Sequence, residues 1–221
     1  REHFRGAMAL GNRLLEPDSF DLFALDQMNN VLVWQMAYES QTGQDPSVTW
    51  KASLDLAERC VARYPDQSYF HRQLGSLCNE WAEYLRLHGQ NPTEITCRAK
   101  VALQRALALA PGGTPLADYS LGNAHLIQGD YEMAIGGNPV PSLQAAAQAF
   151  EMATRKNGHA SSFVGSLAAI HLDLATYYEK EGRNPAEELE ATRRTLRRID
   201  LPHDPWLGLL EAQTCLCEGR W

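Results

Sequence analysis

No run in this 221-residue chain approaches the ~20 consecutive apolar residues that a membrane-spanning helix needs. There is no excess of cations either. Lys and Arg number 20 against 27 Asp and Glu, a formal charge of −7, with a pI near 5.5. That balance speaks against nucleic acid or an anionic membrane surface as the main partner. The chain also lacks a nucleophile elbow, a phosphate-binding loop, a His-Glu-x-x-His zinc motif and the kinase catalytic signatures. The Gly136-Gly137 pair is too short to cradle a phosphate. No acid and base stand out as a working pair, so the chain reads as a non-enzyme without a cofactor. Cysteine is scarce and odd in number: Cys60, Cys78, Cys97, Cys215 and Cys217. That pattern suggests free thiols in a reducing compartment, hence a cytoplasmic setting. No basic-then-apolar leader opens the sequence. It starts at Arg1 and stops at Trp221 inside a helical pattern, which reads as a piece cut from a longer protein.

What the chain does have is a ruler. Four times a Tyr is followed, after four residues, by Gly-x-(Asn/Asp)-Pro: Tyr38 to Pro46, Tyr84 to Pro92, Tyr131 to Pro139 and Tyr177 to Pro185. The prolines lie 46, 47 and 46 residues apart. A fixed period in this range marks stacked units that share one continuous core. Gly accepts the left-handed conformation that closes a helix. Asn or Asp caps the next helix by accepting its free amide hydrogens. Pro suits the first turn, where its missing N–H costs nothing. The phrase is therefore a helix stop followed at once by a helix start, and each unit is an antiparallel helix pair. Glu94 and Glu187 add a capping-box-like arrangement in two copies.

First helices are expected near 20–42, 69–88, 115–135 and 160–181, and second helices near 46–64, 92–110, 139–156 and 185–199. With Asn29, Gly75, Gly122 and Ala168 as the origin of each copy, one stripe recurs. It holds Met28, Leu74, Leu121 and Leu167 one before the origin; Val31, Leu77, Ala124 and Ile170 two after; Met36, Ala82, Gly129 and Ala175 seven after; and the tyrosines nine after. These offsets share one side of an α-helix. The small residues allow a neighbouring helix to come close. A second stripe, spaced four and three, runs along the second helices: Ser53, Ala57, Cys60; Ala99, Leu103, Ala106; Ala146, Phe150, Ala153; Thr192, Leu196, Ile199. The expected division is a partial unit at 1–17, whole units at 18–66, 67–112, 113–159 and 160–205, and a truncated unit at 206–221.

Leu121-Gly122, Gly129-Asp130-Tyr131 and Ala146-xxx-Phe150-xx-Ala153 carry a resemblance. So do Leu74-Gly75, Ala99, Leu103, Ala106 and Pro111. The chain is similar to the tetratricopeptide repeat (TPR) family, with units longer than the usual ~34 residues. Units one and four depart from it, with Asn29 and Ala168 in place of Gly and Ser53 and Thr192 in place of Ala. Long units with this turn resemble arrays joined to bacterial serine/threonine protein kinases, although no kinase residue lies in the chain. The resemblance implies an all-α superhelix, a TPR-like solenoid. It implies a concave groove lined by first helices that binds a protein or peptide segment, as a scaffold or recruitment arm in signalling. The groove residues carried over by position are Asp26, Arg72 and Tyr119, with Gly165, three before the origin; Asn30, Ser76 and Asn123, with Ala169, one after; and Val33, Asn79, Leu126 and Leu172 four after. Trp34, Glu80, Glu83, Ile127, Asp130 and Asp173 lie beside them.

A clamp for a C-terminal carboxylate needs concentrated positive charge, and here only Arg72 supplies it; a cationic or mixed segment suits the acids better. A small-ligand or cis-regulatory module of an attached enzyme is the rival reading. Self-association near Trp206 and Trp221 is a third. Cys78, His125 and His171 share one position in adjacent units, but that position packs the first helix, as Leu32 does in unit one, so core outweighs metal. Cys215 and Cys217, two apart on a helix, diverge. Arg193, Arg194, Arg197 and Arg198 follow Glu187, Glu188 and Glu190. That order suits the helix dipole and reads as a solvated convex face.

Overall fold

A computed structural model of the chain describes the helical positions 6 and 9 and residues 22–157, 160–198 and 205–218. The expected helix at 1–16, Ile199, Gly158 and Trp221 lie outside the described residues, as does the side chain of Trp206. The described residues form an all-α solenoid of antiparallel helix pairs. First helices are α1 (Leu22–Gln41), α3 (Ser68–Leu87), α5 (Pro115–Ala134) and α7 (Ser161–Lys180). Second helices are α2 (Ser47–Arg63), α4 (Thr93–Leu109), α6 (Val140–Lys156) and α8 (Ala186–Leu196), and α9 (Pro205–Glu218) follows. Each first helix has 20 residues, about 30 Å at 1.5 Å per residue.

The repeated phrase is a helix stop and start as expected, but Pro and not Asn or Asp holds the N-cap position, so each helix begins one residue later than its chemistry predicts. Gly43, Gly89, Gly136 and Gly182 have φ of 70°, 68°, 73° and 67°, and no other described residue has positive φ. The residue after each Gly donates its N–H to a carbonyl five back: Gln44 to Glu39 at 2.8 Å, Gln90 to Leu85 at 2.8 Å, Gly137 to Glu132 at 2.7 Å and Arg183 to Tyr178 at 2.8 Å. These bonds satisfy carbonyls that the helix end leaves open. Next, the N–H groups of Ser47, Thr93, Val140 and Ala186 donate to Oδ1 of Asp45, Asn91, Asn138 and Asn184 at 2.9, 2.9, 3.1 and 2.9 Å. The prolines themselves have near-helical backbones, and their carbonyls accept the first helical bonds. No reciprocal bond from Glu94 or Glu187 forms among the described residues, so the cap is one-sided. Asn91→Ala is expected to cost about 0.5–2 kcal/mol, read as a lower urea midpoint at unchanged slope. A neutral result would mean that this bond does not hold the helix start.

Packing explains the small residues. A Cβ on Gly75 would come within 2.4 Å of Leu103 Cγ, and one on Gly122 within 2.6 Å of the Phe150 ring. A Cβ on Gly129 would meet Leu143 Cδ2 at 2.7 Å. The absent side chains let α3 and α5 each lie directly on its own second helix. The second-helix stripe is buried wherever it is described, from Ser53 to Leu196. The first-helix stripe is buried at most positions, but Leu121, Tyr84, Tyr131 and Tyr177 are half-buried, and in α1 Val31 is 42 % and Tyr38 58 % exposed. The stripe is covered from both sides in the later units, whereas α1 packs chiefly on the α2 side. Each second helix sits between its own first helix and the next one. First helices α3 and α5, and α7 and α9, also touch, while no two second helices pack to that extent among the described residues. The array is therefore tighter on its first-helix side and open between second helices.

Candidate functional site

On a 3.6-residue wheel, offsets −3, +1, +4, +5 and +8 from the origin fall within one arc of the first helix. The acids in that arc come from three successive units. Glu80 and Glu83 stand on α3, Asp130 on α5 and Asp173 on α7. Arg86, one turn beyond Glu83, holds it by two bonds, Nη2 to Oε1 at 2.6 Å and Nε to Oε2 at 2.7 Å. The same guanidinium reaches Asp130 Oδ2 at 3.7 Å. Two of the four carboxylates, Glu83 and Asp130, thus share this cation. Glu83 occupies most of Arg86, so little compensation is left for the others.

The electrostatic result is consistent along the row. Burial, with Asp130 as a second cause, pushes the Asp173 carboxyl up to about 7. Burial raises Asp130 as well; Arg86 opposes the shift and Glu83 adds to it. Glu80 is raised by burial and then by Glu83, even though its side chain remains open to water. Carboxyls whose ionised form is costly gain most from an incoming cation. Beside this row, between α1 and α3, lies a cleft of about 160 Å³ lined by Val33, Met36, Glu80, Glu83 and Tyr84 among others. Trp34, 76 % exposed, stands on α1 near its edge.

The residues expected in the groove divide into two groups. Asn79 and Leu172 are each only 6 % exposed, which corrects their placement as groove-facing. Asn79 Nδ2 donates to the Ser120 carbonyl at 2.7 Å, and its Oδ1 is buried without a partner. Leu172 packs in a cluster with Leu189 of α8 and Leu210 of α9. The reason is the contact of α3 with α5 and of α7 with α9, which closes over the +4 position of α3 and of α7 and leaves Val33 and Leu126 half-buried. Ser76 is drawn the same way, its Oγ lying 3.0 Å from Ser120 Oγ. Tyr119 lies against the rings of Phe150 and Phe163 at 5.4 and 4.9 Å, with its hydroxyl 3.4 Å from Ser166 Oγ. Gly165 is buried. Leu126 and Val33 are half-buried against the core. Arg72 lies 5.2 Å over the Tyr69 ring. Asn30 is exposed, and Asn123 and Ala169 are half-buried. Asp26 falls on α1, its side chain outside the described set. The +8 row, Glu83 and Asp130, is the centre of the open arc. The sequence reading set these acids beside the groove and missed Arg86, which the Glu83-x-x-Arg86 spacing could have signalled.

The other candidates are placed as follows. Cys78 is fully buried, and burial pushes its thiol up to about 12. Burial, with Lys100 as a second cause, lowers the pKa of His125. His171 Nδ1 lies 2.6 Å from Glu188 Oε2. Among the described residues no group of three or more His, Cys, Asp or Glu is placed to hold a metal ion. Cys215 is exposed and Cys217 buried, so the two thiols do point apart. No described helix is long and apolar enough to cross a membrane.

No protein-family model and no curated protein matches the chain. Among solved structures, the chain is similar to a monomeric mutant of IFIT1 with Gppp-AAAA, at 16% sequence identity and a TM-score of 0.38. The match covers 100% of this chain and 51% of that one, so this chain spans about half its length.

Proposed function

We propose that the chain is a TPR-type binding scaffold whose first-helix face receives a protein or peptide segment, and that this segment is cationic or mixed in charge. One observation carries the reading: Glu80, Glu83, Asp130 and Asp173 from three units share one arc, and Arg86 pairs with two of them, Glu83 and Asp130. Lysine or arginine side chains laid along the row would relieve carboxyls that are costly to ionise. A chain running past successive units would meet one acidic step after another. The cleft beside the row is smaller than the ~300–1,000 Å³ of ordinary small-molecule sites, which favours a segment over a small ligand. In this reading the chain is not an enzyme, works in the cytoplasm, and is the recruitment or sensor arm of a larger signalling protein. The long-unit turn favours a bacterial kinase as that larger protein.

The test uses fluorescence anisotropy with a fluorescein-labelled peptide rich in lysine and arginine. Asp130→Asn with Asp173→Asn is expected to weaken binding about tenfold at low salt, where surface charge is least screened. A glutamate-rich control peptide is expected not to bind this face. Equal affinity of wild type and variant for the basic peptide would remove the acidic row from the site.

A further inference from the structure

The outer side of the array carries a second feature that the first-helix reading does not use. Because second helices do not pack on one another, clefts open between them, floored by the intervening first helix. Between α6 and α8 the cleft measures about 620 Å³, and the comparable cleft against α4 about 440 Å³. The two differ in charge balance. On α4, Arg98 pairs with Glu58 and Arg105 with Asp66, so each guanidinium has its own carboxylate on the neighbouring unit. Between α6 and α8, Glu151 alone serves two: Arg155 at 3.2 Å and Arg198 at 2.7 Å. Arg194, exposed on the same rim, makes no ion pair among the described residues. Among the described residues three guanidiniums therefore stand against Glu151 and, at the His171 end of the slot, Glu188, which lies 2.6 Å from His171 Nδ1, a local excess of one positive charge in a chain of net −7. Burial alone would raise the Glu151 carboxyl, but the bonds and charges of Arg198 and Arg155 hold it below the usual range.

The shape narrows the occupant. The α6 lining runs from Ala147 to Arg155, about 12 Å at 1.5 Å per residue, so the cleft is a slot two helical turns long. Ala147, Leu167 and Ala191 form an apolar patch in it, beside His171 and Thr195, and Met152 is 43 % exposed on the rim. A free phosphate would leave that apolar patch uncovered. A nucleic-acid strand needs a longer basic track, and one leaving the slot along α8 would run past exposed Glu187 and Glu190. A short protein segment that carries carboxylates on its flanks and an apolar side chain between them fits both features.

We propose that the slot between α6 and α8 is a second docking site, separate from the first-helix face, for an acidic protein segment. Its carboxylates meet Arg155, Arg194 and Arg198, and its apolar side chain rests on the Ala147–Leu167–Ala191 patch. Arg194 is the decisive residue, since it is exposed and its loss strands no carboxylate.

A short fluorescein-labelled peptide of glutamate and leucine is the probe, titrated with the whole chain at low salt. Saturable binding is expected, weakened about tenfold by Arg194→Gln and further by adding Arg155→Gln. Thermal melts of Arg194→Gln should match wild type. The Asp130→Asn, Asp173→Asn variant should bind this peptide as wild type does, which separates the slot from the first-helix face. No saturable binding, or equal binding by the arginine variants, would overturn the proposal. So would tighter, arginine-dependent binding of labelled single-stranded RNA that displaces the peptide, since the slot would then serve nucleic acid.

Discussion

Phe150→Ala is expected to lower the unfolding free energy by about 3–5 kcal/mol. The ring is fully buried and fills the space that Gly122 leaves on the facing helix. It also lies 5.4 Å from the Tyr119 ring, so its loss loosens both helices of the third pair. Gly122→Ala should cost about 1–3 kcal/mol by overpacking. Its added carbon would lie 2.6–2.9 Å from three ring carbons, and a ring cannot fold away as a flexible chain end can. The informative variant is the double one. Once the ring is gone, an alanine at 122 has room and a small gap to fill, so its effect should turn neutral or mildly stabilising. Chemical denaturation of all four proteins gives the coupling. Additive costs would mean that the glycine and the ring do not set the distance between helices. Because units of a stacked array depend mainly on their neighbours, a broadened transition is also expected.

Asp173→Asn is expected to change how stability depends on pH. The carboxyl titrates at 3.8 when unperturbed and is pushed up to about 7 in the fold, by burial first and by Asp130 second. Between those values the unfolded chain has released the proton while the folded one still holds it. Stability therefore falls as pH rises from about 4 to about 7 and is level above that. The groups that face Asp173 across the row are Asp130 and, behind it, Glu83 and Arg86. Asparagine cannot ionise, so the variant should be the more stable protein at pH 8, by on the order of 2 kcal/mol with water access screening part of the charge. Near pH 5 the two should be closely matched. Urea midpoints at the two pH values check this, and parallel profiles would show that Asp173 ionises freely. The same titration bears on binding. A basic peptide on this face should bind more tightly as pH rises through about 7, because it favours the ionised carboxyl.

Much of the architecture is written locally. Gly89 adopts a left-handed backbone because it lacks a Cβ, and Asn91 caps because its carbonyl oxygen reaches two residues ahead. Both effects act within a few residues, so the helix boundaries could be read directly. That small residues at the origin admit a neighbouring helix was legible too; that Leu103 meets Gly75 and Phe150 meets Gly122 came from the structure.

The surface was less legible. Asn79 and Val33 hold equivalent positions, yet one is buried against Ser120 and the other is half-buried beside a cleft. A spacing rule treats them alike; the difference comes from how closely successive first helices approach, which the summed packing of whole units decides. Charge behaves in the same way. That Asp130 and Asp173 both belong to the inner arc follows from period alone. That Asp130 raises the proton affinity of Asp173, while Arg86 is taken up by Glu83, depends on distances between side chains. Period and local chemistry therefore determined the order of helices, their turns and their buried stripes, because those forces act over one or two turns of chain. The tertiary structure alone decided which polar residues remain open and which charges lack a partner, because burial and Coulomb interaction depend on distance in space and not along the sequence.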